Sequence, residues 1–349
     1  MNNRKDSSID ETNEGEHYSP KFHKHFKRVV LLVFSILLVI GMIYYIGFDK
    51  FVNNLTKLKI EYLLIIIIIY SGAWLLRATR LHFFIRKLSG KVSFKDAFQI
   101  NIGSNALNLM LPVRLGDVSG AIALRKYIPF SKSVASVLHT RILDFMALLI
   151  FATFVLIFIK VPSWAFGAFV FSLLIIGGVI GFVMISNRTL LIENLTSRFA
   201  NKFIKRVEKS GRIYINVADF IKGFTRNYEK FLSIKLILLG VIISLGIWSA
   251  DSIICYLIAL GIGYQIEIQF VIMAIVFANF VKAAPTTPGD IGVFEGTLAI
   301  LLIFNNVSPD IAVTIAVVHH LILNLFTLIV GIPGIFKIAS CIAGVDSSS

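Results

Sequence analysis

Charge is scarce in this sequence. Of its 349 residues only 15% are Asp, Glu, Lys or Arg, against about 25% in a soluble domain, and this shortfall excludes a water-soluble globule. Cysteine is almost missing too. Cys255 and Cys341 lie far apart in apolar surroundings with no CxxC or metal-type spacing, which excludes a disulfide-stapled extracellular domain and leaves both as packing residues. Acidic residues are outnumbered, 20 against 34 Lys plus Arg, for a formal charge of +14. In a polytopic protein that excess belongs to cytoplasmic loops facing anionic lipid, and no nucleic-acid partner is expected. The sequence has no GxSxG, HExxH, Walker-type GxxxxGK[ST] or helix-opening GxGxxG. ATP-driven pumping by this chain alone is thereby set aside, leaving downhill, ion-coupled, proton-coupled or partner-driven transport. No cofactor is expected. No metal is expected either: His319 and His320 are adjacent, about 100° apart on a helix, and ill placed to share one ion.

Apolar residues are abundant, at 56% with a mean hydropathy of +0.82, and they come in blocks long enough to cross a bilayer. The composition predicts an all-α, polytopic integral membrane protein. About seven full spans are read at 29–47, 62–84, 134–159, 164–185, 236–260, 270–284 and 311–336, with two further broken or re-entrant segments at 94–124 and 285–304. Residues 1–28 read as a disordered, basic juxtamembrane tail, 29–338 as the membrane domain and 339–349 as a short C-terminal tail. The first apolar stretch is long for a signal sequence and lacks a small-x-small cleavage site, so it reads as a retained helix.

Orientation follows from Lys and Arg near the spans. Arg77, Arg80, Arg86, Lys87, Lys91 and Lys95 face a single acid, Asp96, after the second span. That side and the N-terminus are predicted to be cytoplasmic, in the cell membrane of a prokaryote. The stretch 186–235 holds eleven Lys or Arg against four acids. Within it Ile192, Leu195, Phe199, Phe203 and Val207 recur at helical spacing among basic residues, which predicts an amphipathic helix lying on anionic inner-leaflet lipid.

The broken segments carry the functional signal, because irregular backbone at membrane depth is tolerated only inside protein or around a wet cavity. In the second break Thr287 is placed to cap a new helix, with Pro288 at its first position and Asp290 at the third position of a capping box. A helix start at Gly289 would turn its amides toward a phosphate or carboxylate. Both breaks share the order Pro-x-x-x-Gly-Asp, at 112–117 and 285–290, which leaves an internal repeat open.

Asn108, Pro112, Arg114, Gly116 and Asp117, then Arg141 and Asp144, then Pro288-Gly-Asp-Ile-Gly292 with Glu295 together resemble the membrane domain of lysylphosphatidylglycerol synthases and the free-standing, flippase-like proteins that share it. The resemblance covers about residues 25 to 338. It implies lipid translocation, and with no room after Ser349 for the soluble transferase domain it implies flipping without synthesis. The sequence departs from the family in having Asp290 where a second Gly is commoner, and in lacking a basic residue near Gly120.

From the residues themselves, Arg114, Arg141 and Lys282 are cations in or near apolar segments, where an ionisable group is functional by default. Arg114 is the candidate headgroup-phosphate ligand, with pairing to Asp117 as its structural alternative. Arg141 and Asp144, three apart, read either as an ion pair along one helix face or as site residues. Asp290, Glu295 and Asp144 would neutralise, gate or couple; Asp251 is a further candidate for a proton relay. His320 and Asn324 share a helix face and either bond between helices or line the cavity. The expected substrate is a membrane lipid with an anionic phosphate headgroup, whether phospholipid, aminoacyl-phospholipid or polyprenyl-phosphate-linked. Two rivals stand beside it. One is an intramembrane enzyme with Asp117 or Glu295 as general base; the other is an assembly partner of a glycosyltransferase or lipid synthase.

Overall fold

The computed structural model of the protein describes residues 20–88, 90–111, 114–158, 230–282 and 287–346, with scattered positions between 163 and 178 and between 224 and 228. Among these every regular element is helical: α1 (Pro20–Ile46), α2 (Phe48–Thr56), α3 (Ile60–Lys87), α4 (Phe94–Met110), α5 (Leu115–Ala123), α6 (Phe130–Phe158), α7 (Ile234–Gly261), α8 (Ile268–Val281), α9 (Val293–Phe304) and α10 (Pro309–Asp346).

Helices α3, α6, α7 and α10 are each long and apolar enough to cross a membrane, while α1 and α2 form a pair bent by 90°. The bend falls at Gly47, whose φ of 92° suits a residue without Cβ. Large apolar side chains line the outside of these helices, among them Ile68, Ile242, Ile329 and Phe336, the face a hydrocarbon solvent requires. The chain is an all-helical, multi-pass membrane protein.

Several predicted boundaries move. Residues 20–28 of the expected tail are helical, because Pro20 at the first position and the Lys- and Phe-rich sequence after it suit the start of α1. At the other end α10 continues to Asp346, with its own Cys341 fully buried. The segment predicted as a span at 270–284 is the 14-residue helix α8, about 21 Å long at 1.5 Å per residue, too short to cross alone. Arg77 and Arg80 are not loop charges: α3 runs on to Lys87, and both sit inside it. The predicted span at 164–185 lies largely outside the described residues, as do residues 1–19 and the amphipathic helix expected within 186–235.

Helices in lipid gain little from hydrophobic transfer and associate through close backbone approach. The tightest packing joins α4 to α10. A Cβ on Gly103 would collide with the backbone of Gly334, one on Gly334 with the carbonyl of Gln99, and one on Gly331 with Ala106 at 2.6 Å. Pro333, lacking an N–H, interrupts the α10 hydrogen-bond ladder beside this crossing. The α4–α5 hairpin closes in the same way, with Gly116 and Gly120 stacked on Ser104. Ser93 caps α4 by accepting from the Asp96 amide at 3.1 Å, and Asp96 binds Lys337 at 2.6 Å, tying that end to α10.

Candidate functional site

Both broken segments reach one cavity of about 200 Å³ inside the bundle. From the first come Asn105, Asn108 and Arg114; from the second come Lys282, Thr287, Gly289 and Asp290. They also touch each other. The Arg114 guanidinium donates to the Lys282 carbonyl at 2.8 Å, and a Cβ on Gly289 would stand 3.2 Å from the Leu109 carbonyl oxygen. Arg114, Gly289 and Asp290 all adopt left-handed backbone, with φ of 52°, 65° and 57°. Gly289 is glycine for two reasons, that conformation and the close carbonyl. The two Pro-x-x-x-Gly-Asp strings are locally unlike: Gly116 and Asp117 open α5 in helical conformation, whereas Gly289 and Asp290 form a left-handed turn. The shared string therefore does not mark a shared local structure.

The second helix does not start where its sequence predicts. Pro288–Asp290 makes a single 3-10 turn, and the left-handed pair Gly289–Asp290 stops the helical ladder there. The chain restarts at Gly292, which precedes α9, and Glu295 rather than Asp290 is the capping acid. Its Oε2 accepts from the Gly292 amide at 2.7 Å, and its Oε1 lies 2.8 Å from Nδ1 of His320. Glu295 thus caps an amide and holds a histidine at once.

Arg141 and Asp144 do not pair. Each looks across the bundle instead: Arg141 grips Asp117 with Nε at 2.9 Å and Nη2 at 2.5 Å, and Arg80 grips Asp144 with Nη1 at 2.6 Å and Nη2 at 3.0 Å. Asn108 adds a bond to Asp117 at 2.9 Å, and Ser244 one to Arg80. These bidentate pairs form the wall between the main cavity and a side chamber of about 40 Å³. Arg114 forms no ion pair among the described residues, although Asp290 and Asp117 are near enough to act on its charge; Asp117, its predicted alternative partner, is held by Arg141. Lys282 rests over the Phe294 ring at 4.5 Å, with Asp290 3.8 Å away. His320 and Asn324 both line the cavity. Among the described residues no group of three or more His, Cys, Asp or Glu is arranged to hold a metal.

The profile of the lysylphosphatidylglycerol synthase transmembrane region matches residues 30–331. The chain belongs to this family. Among its relatives, a UPF0104 membrane protein of Methanocaldococcus jannaschii is 23% identical over 87% of this chain and 93% of its own length. Another, from Methanothermobacter thermautotrophicus, is 27% identical over 91% and 94%. The glycosyltransferase AglD of Haloferax volcanii is 22% identical over 91% of this chain but only 55% of its own length. No solved structure matches.

For this family member the structure adds site residues that the sequence alone does not point to. Arg77 lines the cavity, its guanidinium 5.0 Å from the Trp74 ring and 5.9 Å from that of Tyr70, and its Nη1 is buried with no hydrogen-bond partner. The indole N–H groups of Trp74 and Trp248 are likewise buried and unpartnered on the cavity wall. Tyr70, Trp74 and Arg77 stand at i, i+4 and i+7 of α3, one face of a helix. That spacing is the signal the sequence offers, and treating Arg77 as a loop charge obscures it.

Proposed function

We propose that the protein is a lipid translocase of the flippase-like kind, moving an anionic, phosphate-bearing lipid between leaflets with its headgroup in the cavity. One observation carries this reading. Arg77 and Arg114 both line the cavity and neither has a carboxylate within ion-pairing distance among the described residues, whereas Arg80 and Arg141 are each gripped by one. A guanidinium that no carboxylate grips is costly to leave so inside a membrane domain, and its planar fork matches two phosphate oxygens. The cytoplasmic N-terminus and the basic surface facing inner-leaflet lipid belong to the same reading.

Phospholipid, aminoacyl-phospholipid and polyprenyl phosphate all present the required phosphate. The alignment with part of a longer protein named as a glycosyltransferase supports a second reading, in which this chain assembles with a glycosyltransferase and the lipid carries a sugar. Translocation of fluorescent phospholipids and of a polyprenyl-phosphate analogue in proteoliposomes tests the first. Wild-type protein should move at least one of them. Arg114→Ala should slow it at least about tenfold, the effect of losing one hydrogen bond to a charged group. Folded protein that moves no lipid would transfer the weight to assembly with a partner enzyme.

A further inference from the structure

Five cations surround the cavity and its side chamber: Arg77, Arg80, Arg114, Arg141 and Lys282. Four carboxylates line them, Asp117, Asp144, Asp251 and Asp290, and Glu295 stands directly behind His320. These five cations and five carboxylates balance. An anionic headgroup held by Arg77 and Arg114 leaves the wall as a whole one negative charge over, in surroundings where water screens poorly. One proton taken up with the lipid restores the balance.

The hydrogen bonds favour one histidine for that proton. On α10, Nδ1 of His320 is committed to Glu295 at 2.8 Å, while its Nε2 is buried with no hydrogen-bond partner on a ring that lines the cavity. A carboxylate acceptor on Nδ1 places the neutral ring's hydrogen there, leaving Nε2 as the basic atom. The other oxygen of Glu295 already holds the Gly292 amide, so the carboxylate is fixed and can stabilise an imidazolium. Phe294 of α9 packs on the same ring, 4.6 Å between centroids. Elsewhere Asp117 and Asp144 are held by arginines and Asp290 by Lys282, while Asp251 of α7 lies 3.5 Å from Nε2 of His319 without hydrogen-bonding it, so His320 is the cavity histidine that a carboxylate holds through a hydrogen bond. Facing His320 from the remaining elements are Lys282 at the end of α8, Asp290 in the second break, Arg114 in the first, Arg141 and Asp144 of α6, and Tyr70 and Arg77 of α3. Helix α1 brings no charged side chain between residues 33 and 46.

We infer that His320, held by Glu295, is a proton-binding site linked to the cargo: Nε2 takes up one proton as the anionic headgroup enters and donates it as a hydrogen bond to the phosphate. The inference rests on the cavity being the headgroup site, and it supplies what that reading lacks, a means for a pH difference to drive the cycle. Binding and proton uptake are then reciprocal.

The test is calorimetry of short-chain phosphatidylglycerol binding to the detergent-solubilised full chain, in buffers of different ionisation enthalpy. A phosphodiester keeps a single charge between about pH 5 and 8, the range in which histidine titrates, so any proton counted belongs to the protein. Wild type should take up about one proton per lipid when His320 starts neutral, with affinity falling roughly tenfold per pH unit on the alkaline limb. His320→Gln should bind with an affinity flat in pH and no uptake. Glu295→Gln, which keeps the volume and removes the charge, should move the alkaline limb to lower pH. Wild-type binding without proton uptake overturns the inference whether or not either variant folds, and so does a pH slope retained in folded His320→Gln. Absence of binding at every pH overturns the headgroup site as well.

Discussion

Arg80→Leu is expected to cost about 3–5 kcal/mol, the range found when one partner of a buried ion pair is removed. Arg80 is 4% exposed, and its two terminal nitrogens bind both oxygens of Asp144, itself 13% exposed. Nothing in the wall can replace it. Arg141 is occupied by Asp117, and Arg77 is turned onto the Trp74 ring. The bond to Ser244 ties the same guanidinium to α7, so the substitution also loosens α3, α6 and α7 from one another. Removing both charges should recover much of the loss. Arg80→Leu/Asp144→Leu strands no carboxylate at that site, and such double replacements are often nearly neutral. Thermal unfolding of the purified protein in detergent checks both, and a single variant as stable as wild type would show that Asp144 finds solvent or another cation.

Gly103→Leu is expected to unseat α4 altogether. Gly103 meets the backbone of Gly334, and the atoms in the way belong to main chain rather than to a side chain that could swing aside. Overpacking a core that can adjust costs about 1–3 kcal/mol; here relief requires two helices to move apart. Because α4 leads directly to Asn105, Asn108 and the first break, the fraction that still folds should bind phosphatidylglycerol poorly. A variant with wild-type melting and binding would mean that α10 yields at Pro333. The same substitution at Gly246, where a Cβ meets only the end of Leu76 at 3.5 Å, should be far milder.

The two breaks are plain in the sequence, since Pro and Gly clustered inside an apolar run interrupt a helix that would otherwise continue. Asn108, Arg114, Lys282, Gly289, Asp290, His320 and Asn324, singled out from the sequence, all line one cavity. Hidden from the sequence are partnerships between helices. Arg141 and Asp144 are spaced for a local pair, but each has a better-aligned bidentate partner on another helix, and one-dimensional spacing contains no information about that. Arg77 and Arg80 lie near the end of an apolar run, where a buried cation and a loop cation look alike. Thr287, Pro288 and Asp290 fit a capping box locally, five residues ahead of the one that forms. The left-handed turn at Gly289 and Asp290, packed against α4, defers the helix to Gly292.

The 38 residues of α10, at 1.5 Å each, make a rod about 57 Å long, nearly twice the roughly 30 Å of hydrocarbon in a bilayer. It cannot stand upright with both ends at the two surfaces. Tilt, or emergence beyond the Lys337–Asp96 pair, has to take up the surplus. Hydrophobic mismatch therefore has little hold on this helix: thickening or thinning the bilayer changes how much of α10 protrudes. The histidines at 319 and 320, ten or eleven residues along the rod, keep their depth relative to the breaks they serve.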